Sequence, residues 1–233
     1  MAEKMNIYTI IPARGGSKSI HKKNIRLLNG IPLINYSIKY SQNCNLISHT
    51  VVSTDSKEIS EIALNCGAEV PFLRPKEFAK DESQDYPVFK HALEVLEKMS
   101  KTQIELMVLL RPTSPLRPKH MIERGVDLLI RFPEATSVRS VTASHEHPFR
   151  QWKKDGDYIT GYENNVSEPY NIPRQKLPSV FFQTGDLEIV RRKTLMEGSI
   201  SGNRILPLII SNEEMMDIDH EQDLKKAEKR LLN

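Results

Sequence analysis

Arg14, Gly15, Gly16, Ser17 and Lys18 follow the apolar run Ile7 to Ile11 with only Pro12 and Ala13 between, and Lys22, Lys23 and Asn24 come close behind. Adjacent glycines bare backbone N–H groups. Around them Arg14 adds a planar donor fork, and Lys18 and Lys23 add mobile point charges, a set suited to polyphosphate. The stretch has neither the spacing of a Walker loop nor G-x-G-x-x-G, so a merely structural turn is the competing reading; the cations weigh against it. Far along the chain, Asp217 and Asp219 stand two apart. On an extended segment both carboxylates face one side while Ile218 turns into the core. Paired hard oxygen ligands beside a triphosphate suit Mg²⁺, with Mn²⁺ able to substitute. A cap for a helix beginning at His220 is the alternative, and Asp219 can do both. His145 and His147 lack a third ligand and are not read as a metal site.

These residues need a frame. The run Ile7 to Ile11, the stretch His49 to Thr54, the nearly continuous apolar run Ile104 to Leu110 and Thr136 to Thr142 read as strands. Val70 to Leu73 reads as a further short strand, as do Val180 to Val190 and Arg204 to Ile210. Between them, helices are predicted over Pro32 to Tyr40, Ser56 to Cys66 (capped by Asp55 and closed by Gly67), Tyr86 to Met99, a segment ending near Arg131, and His220 to Leu232. Strand and helix in alternation argue for an α/β fold, a parallel sheet covered on both faces. In such sheets ligands bind outside the carboxyl ends of the strands. Three polar loops fall there: Arg14 to Lys18, Asp55 with the loop from Arg74 to Asp85, and Arg111 to Arg117. From Ser144 to Pro178 the periodicity dissolves into Trp152, three tyrosines and several prolines, which reads as an arm.

Length and composition set outer bounds. At 233 residues the chain fits one domain, 1–233, with an insertion over 144–180, and can bury a sizeable core. Two isolated cysteines, Cys44 and Cys66, exclude a disulfide framework and fit a reducing compartment. No stretch of eighteen apolar residues or cleavage-like leader is present, so a soluble cytoplasmic protein without a membrane partner is expected. A net charge of +3 with dispersed lysines gives no basic stripe for a nucleic acid.

The run IPARGGSKSIHKKNI resembles the signature of the acylneuraminate cytidylyltransferases, the CMP-sialic acid synthetases, with 3-deoxy-manno-octulosonate cytidylyltransferases as more distant relatives. Four further segments match in order: VVSTD at Val51 to Asp55, FLRP at Phe72 to Pro75, RPTSPLR at Arg111 to Arg117 and DID at Asp217 to Asp219. The resemblance implies a three-layer α/β/α, Rossmann-like fold of the nucleotide-diphospho-sugar-transferase type. It implies a reaction in which the anomeric hydroxyl of a 2-keto-3-deoxy sugar acid attacks the α-phosphorus of CTP and releases pyrophosphate. By the same resemblance Ala13, Arg14, Gly15, Gly16, Ser17 and Lys18 bind the nucleotide, Arg14 and Lys18 holding the β and γ phosphates, and Lys23 and Asn24 lie beside the α-phosphate and ribose. Arg74 with Ser83 and Asp85 reads cytosine. Asp217 and Asp219 hold the metal, with Arg14, Lys18 and Asp219 as the catalytic set. Thr113 and Ser114 fall on the sugar side, and Arg150 (in HPFR) and Arg174 (in PRQKLP) match the basic residues that hold the sugar carboxylate. The arm resembles a dimerisation element reaching over the partner's site, so a homodimer is expected. No proton-abstracting base declares itself; ionisation of the hydroxyl with metal assistance near Asp217 or Asp219 fits best.

Two departures fall on the sugar side. Arg111 stands where glutamine is common, and Gln183, Thr184, Gly185 and Asp186 replace an asparagine-glycine-alanine run. An added arginine and aspartate would change the hydrogen bonds offered to the sugar's substituents, and a buried polar group left unpaired rejects the wrong analogue strongly. A nonulosonic acid of the legionaminate type is therefore expected. N-acetylneuraminate or another ulosonate such as 3-deoxy-manno-octulosonate is the alternative. A nucleotide-sugar-binding regulatory protein without turnover is the rival from another class.

Overall fold

The computed structural model describes residues 5–232. The opening apolar run forms β1 (Ile7–Pro12). A minimal hairpin, β2 (Leu27–Leu28) with β3 (Ile31–Pro32), turns over Asn29 and Gly30, both at positive φ (48° and 74°), the conformation a two-residue hairpin turn requires. Then follow α1 (Leu33–Gln42), β4 (His49–Ser53), α2 (Lys57–Asn65), α3 (Asp85–Ser100), β5 (Leu106–Leu109), α4 (Met121–Arg131) and β6 (Ser137–Ala143). The arm contains a hairpin, β7 (Trp152–Asp155) with β8 (Tyr158–Gly161), preceded by one 3-10 turn and followed by two. Its exposed residues carry no apolar periodicity, which is why it does not show in the sequence. Regular structure resumes with β9 (Phe181–Arg191), α5 (Arg192–Met196), β10 (Ile205–Ile209) and α6 (Glu221–Leu232).

The main sheet has the order β10-β6-β9-β5-β1-β4. Its strand pairs are parallel except where β9 enters antiparallel between β5 and β6. Side-chain alternation divides β1: Ile7 and Ile11 join a core formed with α1, α2 and α4, whereas Tyr8 and Ile10 face α3 and α5. The sheet is thus buried on both faces, as its apolar strands require. A third, smaller core seats α6 on the β2–β3 hairpin through Leu28, Leu33, Ile218, Leu224 and Ala227.

Local chemistry departs from the sequence reading at three places. Val70 to Leu73 forms no strand; only Glu69 bridges to Val51, because Pro71 has no N–H to continue the ladder. Ser56, not Asp55, caps α2 through Ile59 N, leaving Asp55 for another use. Asp219 does not cap α6: Asp223 Oδ2 takes the backbone N–H groups of Asp219 and His220, at 3.3 and 3.0 Å.

Candidate functional site

A cleft of about 530 Å³ opens at the carboxyl ends of β1, β4 and β5. The loop after β1 is tied to β4 by Ala13 N to Ser53 O at 2.9 Å, and Asn24, buried, donates to Arg14 O at 2.9 Å. Asp55 Oδ1 accepts from Gly15 N at 2.9 Å, so that N–H is not bare as expected. A Cβ on Gly15 would sit 3.1 Å from Ser56 Cβ; glycine is needed here for close approach rather than for an unusual φ. Gly16 meets open space. Asp81 bridges Arg14 and Lys18, one carboxylate oxygen to each, and its carboxyl is held below the ordinary range by Lys18 and then Arg14. Lys23 Nζ lies 3.0 Å from Asp219 Oδ1.

Arg74 lines the cleft from a buried position. Its Nε donates to Ser53 Oγ at 3.1 Å, Nη1 to Phe78 O at 3.3 Å, and Nη2 to Ser53 O. Burial brings its pKa down to about 10, against the pull of Asp55 and Asp85. It joins the end of β4 to the loop that carries Asp81, Ser83 and Asp85.

The side of the cleft formed by Arg111, Pro112 and Thr113 is backed by β9, which does not itself line it. Because β9 runs antiparallel, Leu109 pairs with Glu188, and the residues before Glu188 overhang the carboxyl end of β5. Between Arg139, opposite Glu188, and Val141, opposite Gln183, the register breaks. The extra residues of β9 bulge out. Ser140 Oγ pins the bulge, donating to Leu187 O at 3.0 Å and receiving Leu187 N at 2.9 Å and Thr184 Oγ1 at 2.7 Å. Arg117 secures it from the loop after β5, donating Nε to Asp186 O at 2.6 Å, Nη2 to Arg111 O at 2.5 Å and Nη1 to Ser37 Oγ at 3.0 Å. Burial takes the Arg117 pKa down to about 10. The bulge lays Gly185 against Ser114 Oγ, Arg111 Cδ and Asp217 Oδ2, which a Cβ there would meet at 3.0, 3.4 and 3.7 Å. Ile218, fully buried, donates its N–H to Thr113 O at 2.8 Å; this fixes the aspartate segment to the same loop. The Asp217 carboxyl is raised by desolvation and by Asp219, against Thr113 and Lys23.

The structure therefore gathers Arg14, Ser17, Lys18, Lys23, Asn24, Arg74, Ser83, Asp85, Arg111 and Thr113 on one cleft. Ala13 and Ser114 are buried beneath it. Arg150 and Arg174 are not there; they line a separate hollow of about 580 Å³ under the arm. Gln183 gives its carbonyl to Arg139. Asp186 is 1% exposed, with neither oxygen in hydrogen-bonding geometry to a partner and its pKa raised by burial against Arg117. It is turned into the protein, so the carboxylates beside Arg111 are instead Asp85 and Glu188. Asp81, Arg139 and Glu188 were not legible as site residues. For the last two a signal existed, since charged residues in central strands break the apolar pattern.

Among the described residues no cluster of three or more His, Cys, Asp or Glu side chains could hold a metal. Two carboxylates suffice for Mg²⁺ when substrate phosphates and water complete its octahedron, and Asp217 with Asp219 fits that demand. No helix among the described residues is long and apolar enough to cross a membrane.

An α/β sheet with a cationic cleft at its strand ends and a carboxylate pair beside it suits a nucleotidyltransferase. The cytidylyltransferase family model matches residues 8–150, and the chain belongs to that family. It is 32% identical over 224 residues to the CMP-N,N'-diacetyllegionaminic acid synthase of Campylobacter jejuni, covering 95% of this chain and 93% of that one. It is 31% identical, with the same coverages, to post-translational flagellin modification protein B of Campylobacter coli. Against N-acylneuraminate cytidylyltransferase A of Danio rerio it is 31% identical over 97% of its own length but spans only 51% of that protein. Among solved structures, CMP:2-keto-3-deoxy-manno-octonic acid synthetase complexed with CTP superposes with a TM-score of 0.72 at 14% identity, covering 97% of this chain and 98% of that one; this likeness speaks for the fold.

Proposed function

We propose that the protein transfers CMP from CTP to the anomeric hydroxyl of a nonulosonic acid of the legionaminate type. The hydroxyl oxygen bonds to the α-phosphorus as the bridge to the β-phosphate breaks; pyrophosphate departs and the hydroxyl proton passes to solvent. The observation that carries the reading is the grouping of Arg14, Lys18 and Lys23 on one cleft with Arg74 and Arg111, with Asp219 on Lys23. In-line displacement of this kind needs positioning and charge neutralisation more than covalent chemistry. Arg14 and Lys18 neutralise the leaving pyrophosphate, Lys23 and Asn24 hold the α-phosphate and ribose, and Arg74 with the Ser83 loop walls the base. Asp217 and Asp219 would hold Mg²⁺, which when bound neutralises charge on phosphoryl oxygens.

A homodimer belongs to this reading. Arg150 and Arg174 sit apart from the cleft of their own chain, and the arm leaves Tyr158, Ile159 and Tyr162 exposed, a surface that a second copy would cover while bringing the two arginines to the acid's carboxylate. Curated relatives named for legionaminic, pseudaminic and N-acylneuraminic acids support the acceptor class, and a CTP-consuming synthesis suits the cytoplasm. The test is pyrophosphate release with CTP, Mg²⁺ and a panel of nonulosonic and octulosonic acids. Release is expected with diacetyllegionaminate. Silence across the panel with intact CTP binding would favour the regulatory binder, and preference for UTP or ATP over CTP would sink the base assignment.

A further inference from the structure

Arg139 and Glu188 take no part in the reading above, yet both lie in strands at the centre of the sheet. They are register partners across β6 and β9. Glu188 is 4% exposed. Its Oε1 accepts from Arg111 Nη2 at 3.1 Å, and its Oε2 lies 2.9 Å from Arg139 Nη2 without hydrogen-bond alignment. Oε2 is therefore buried with no hydrogen-bond partner, and so, separately, is Arg139 Nε. A buried ion pair with unmet donors and acceptors is no better for stability than apolar residues of the same shape. Its use lies in what it holds, and it holds Arg111.

A guanidinium has five N–H groups. On Arg111, Nη1 and Nη2 reach Asp85 at 3.4 and 2.6 Å, and Nη2 also reaches Glu188. Two N–H groups are left over on a residue that lines the cleft. With two carboxylates already balancing its charge, such an arginine favours a neutral oxygen over a further anion. Arg139 also binds the Gln183 carbonyl and donates to Ser201 Oγ at 2.6 Å, which leaves the amide NH₂ of Gln183 as its unengaged end. Resting on the acceptor class proposed above, we propose that Glu188 and Arg139 are positioning residues for acceptor specificity. They hold Arg111 so that its free N–H groups select a neutral acyl carbonyl or hydroxyl oxygen on the sugar acid.

The variants are Glu188→Gln, which keeps shape and removes charge, Arg111→Gln, and the two combined. Steady-state pyrophosphate release should show Glu188→Gln raising KM for the acylamino acid roughly tenfold to a hundredfold, the loss expected for one charged hydrogen bond. KM for CTP should stay within about twofold, because that change touches acceptor binding alone. The double variant should be no worse than Arg111→Gln, since both changes remove one device. Equal movement of both KM values, or full additivity, would mark Glu188 as merely structural and overturn the inference while leaving the cytidylyltransferase reading intact. A second readout needs no acceptor: ¹H–¹⁵N spectra of the arginine side chains, with Arg111 assigned by its loss in Arg111→Gln. The Arg111 Nε–H signal should broaden in Glu188→Gln, and an unchanged signal would refute the positioning role whichever acid is the substrate.

Discussion

Arg14 at one end of the cleft and Arg111 at the other both rest against carboxylates of the chain, but those carboxylates differ in burial. The Asp81 side chain is 36% exposed and the Glu188 side chain 5%. An exposed ion pair contributes little and is screened by salt, so in the proposed function a triphosphate displaces Asp81 at little cost. Removing one partner of a buried pair costs roughly 3–5 kcal/mol. If the proposed function holds, Arg111 keeps its orientation through a catalytic cycle while Arg14 and Lys18 exchange one anion for another. On that proposal the end that receives nucleotide is built to release its own carboxylate and the end that receives the acceptor is built to keep it.

The largest expected effect breaks this contrast at the nucleotide end. Arg14→Ala should lower kcat/KM by about 10²–10³, as loss of a donor that stabilises transition-state charge does, and should weaken CTP binding by calorimetry. A loss confined to the acceptor KM would show the two ends are not separate. Gly185→Ala probes the acceptor end, where a Cβ would lie 3.0 Å from Ser114 Oγ and 3.4 Å from Arg111 Cδ. Overpacking of about 1–3 kcal/mol should appear as a raised acceptor KM with CTP affinity retained, and equal damage to both would contradict it. The smallest effect sharpens the contrast. Asp81→Asn should tighten CTP binding about two- to fivefold at low salt and converge on the parent protein at high salt. Because Lys18 and Arg14 hold the Asp81 carboxyl below its ordinary value of 3.8, the carboxylate persists from neutral pH down through that value. Its competition with CTP should be lost only at lower pH.

Much of the nucleotide end could be read directly. The apolar run before Arg14, the paired glycines and the following cations are contiguous, and a strand followed by such a turn puts its N–H groups and charges in one place whatever the rest of the chain does. The Asp217-Ile218-Asp219 spacing carried its own geometry, and Ile218 is buried as an extended segment demands. Caps were less legible: Asp55 and Ser56 are both good cap residues, and only the approach of Gly15 to Asp55 decided which was free. Asp186 is buried rather than on the cleft because Ser140 pins and Arg117 holds a bulge that alternation along β9 cannot foresee.

Local pattern by itself determined the α/β class, the strands that end in polar loops and the cations of the opening turn, because these depend on periodicity and on neighbours within a few residues. Tertiary structure alone decided which carboxylate meets which arginine. Asp85 and Glu188 reach Arg111 across 26 and 77 residues of chain: Asp85 comes from the start of α3, which packs against β5, and Glu188 arrives only because β9 enters antiparallel between β5 and β6. Strand order is fixed by how two apolar faces of a sheet are covered at once. That is a property of the whole packed core, and no single stretch of residues contains it.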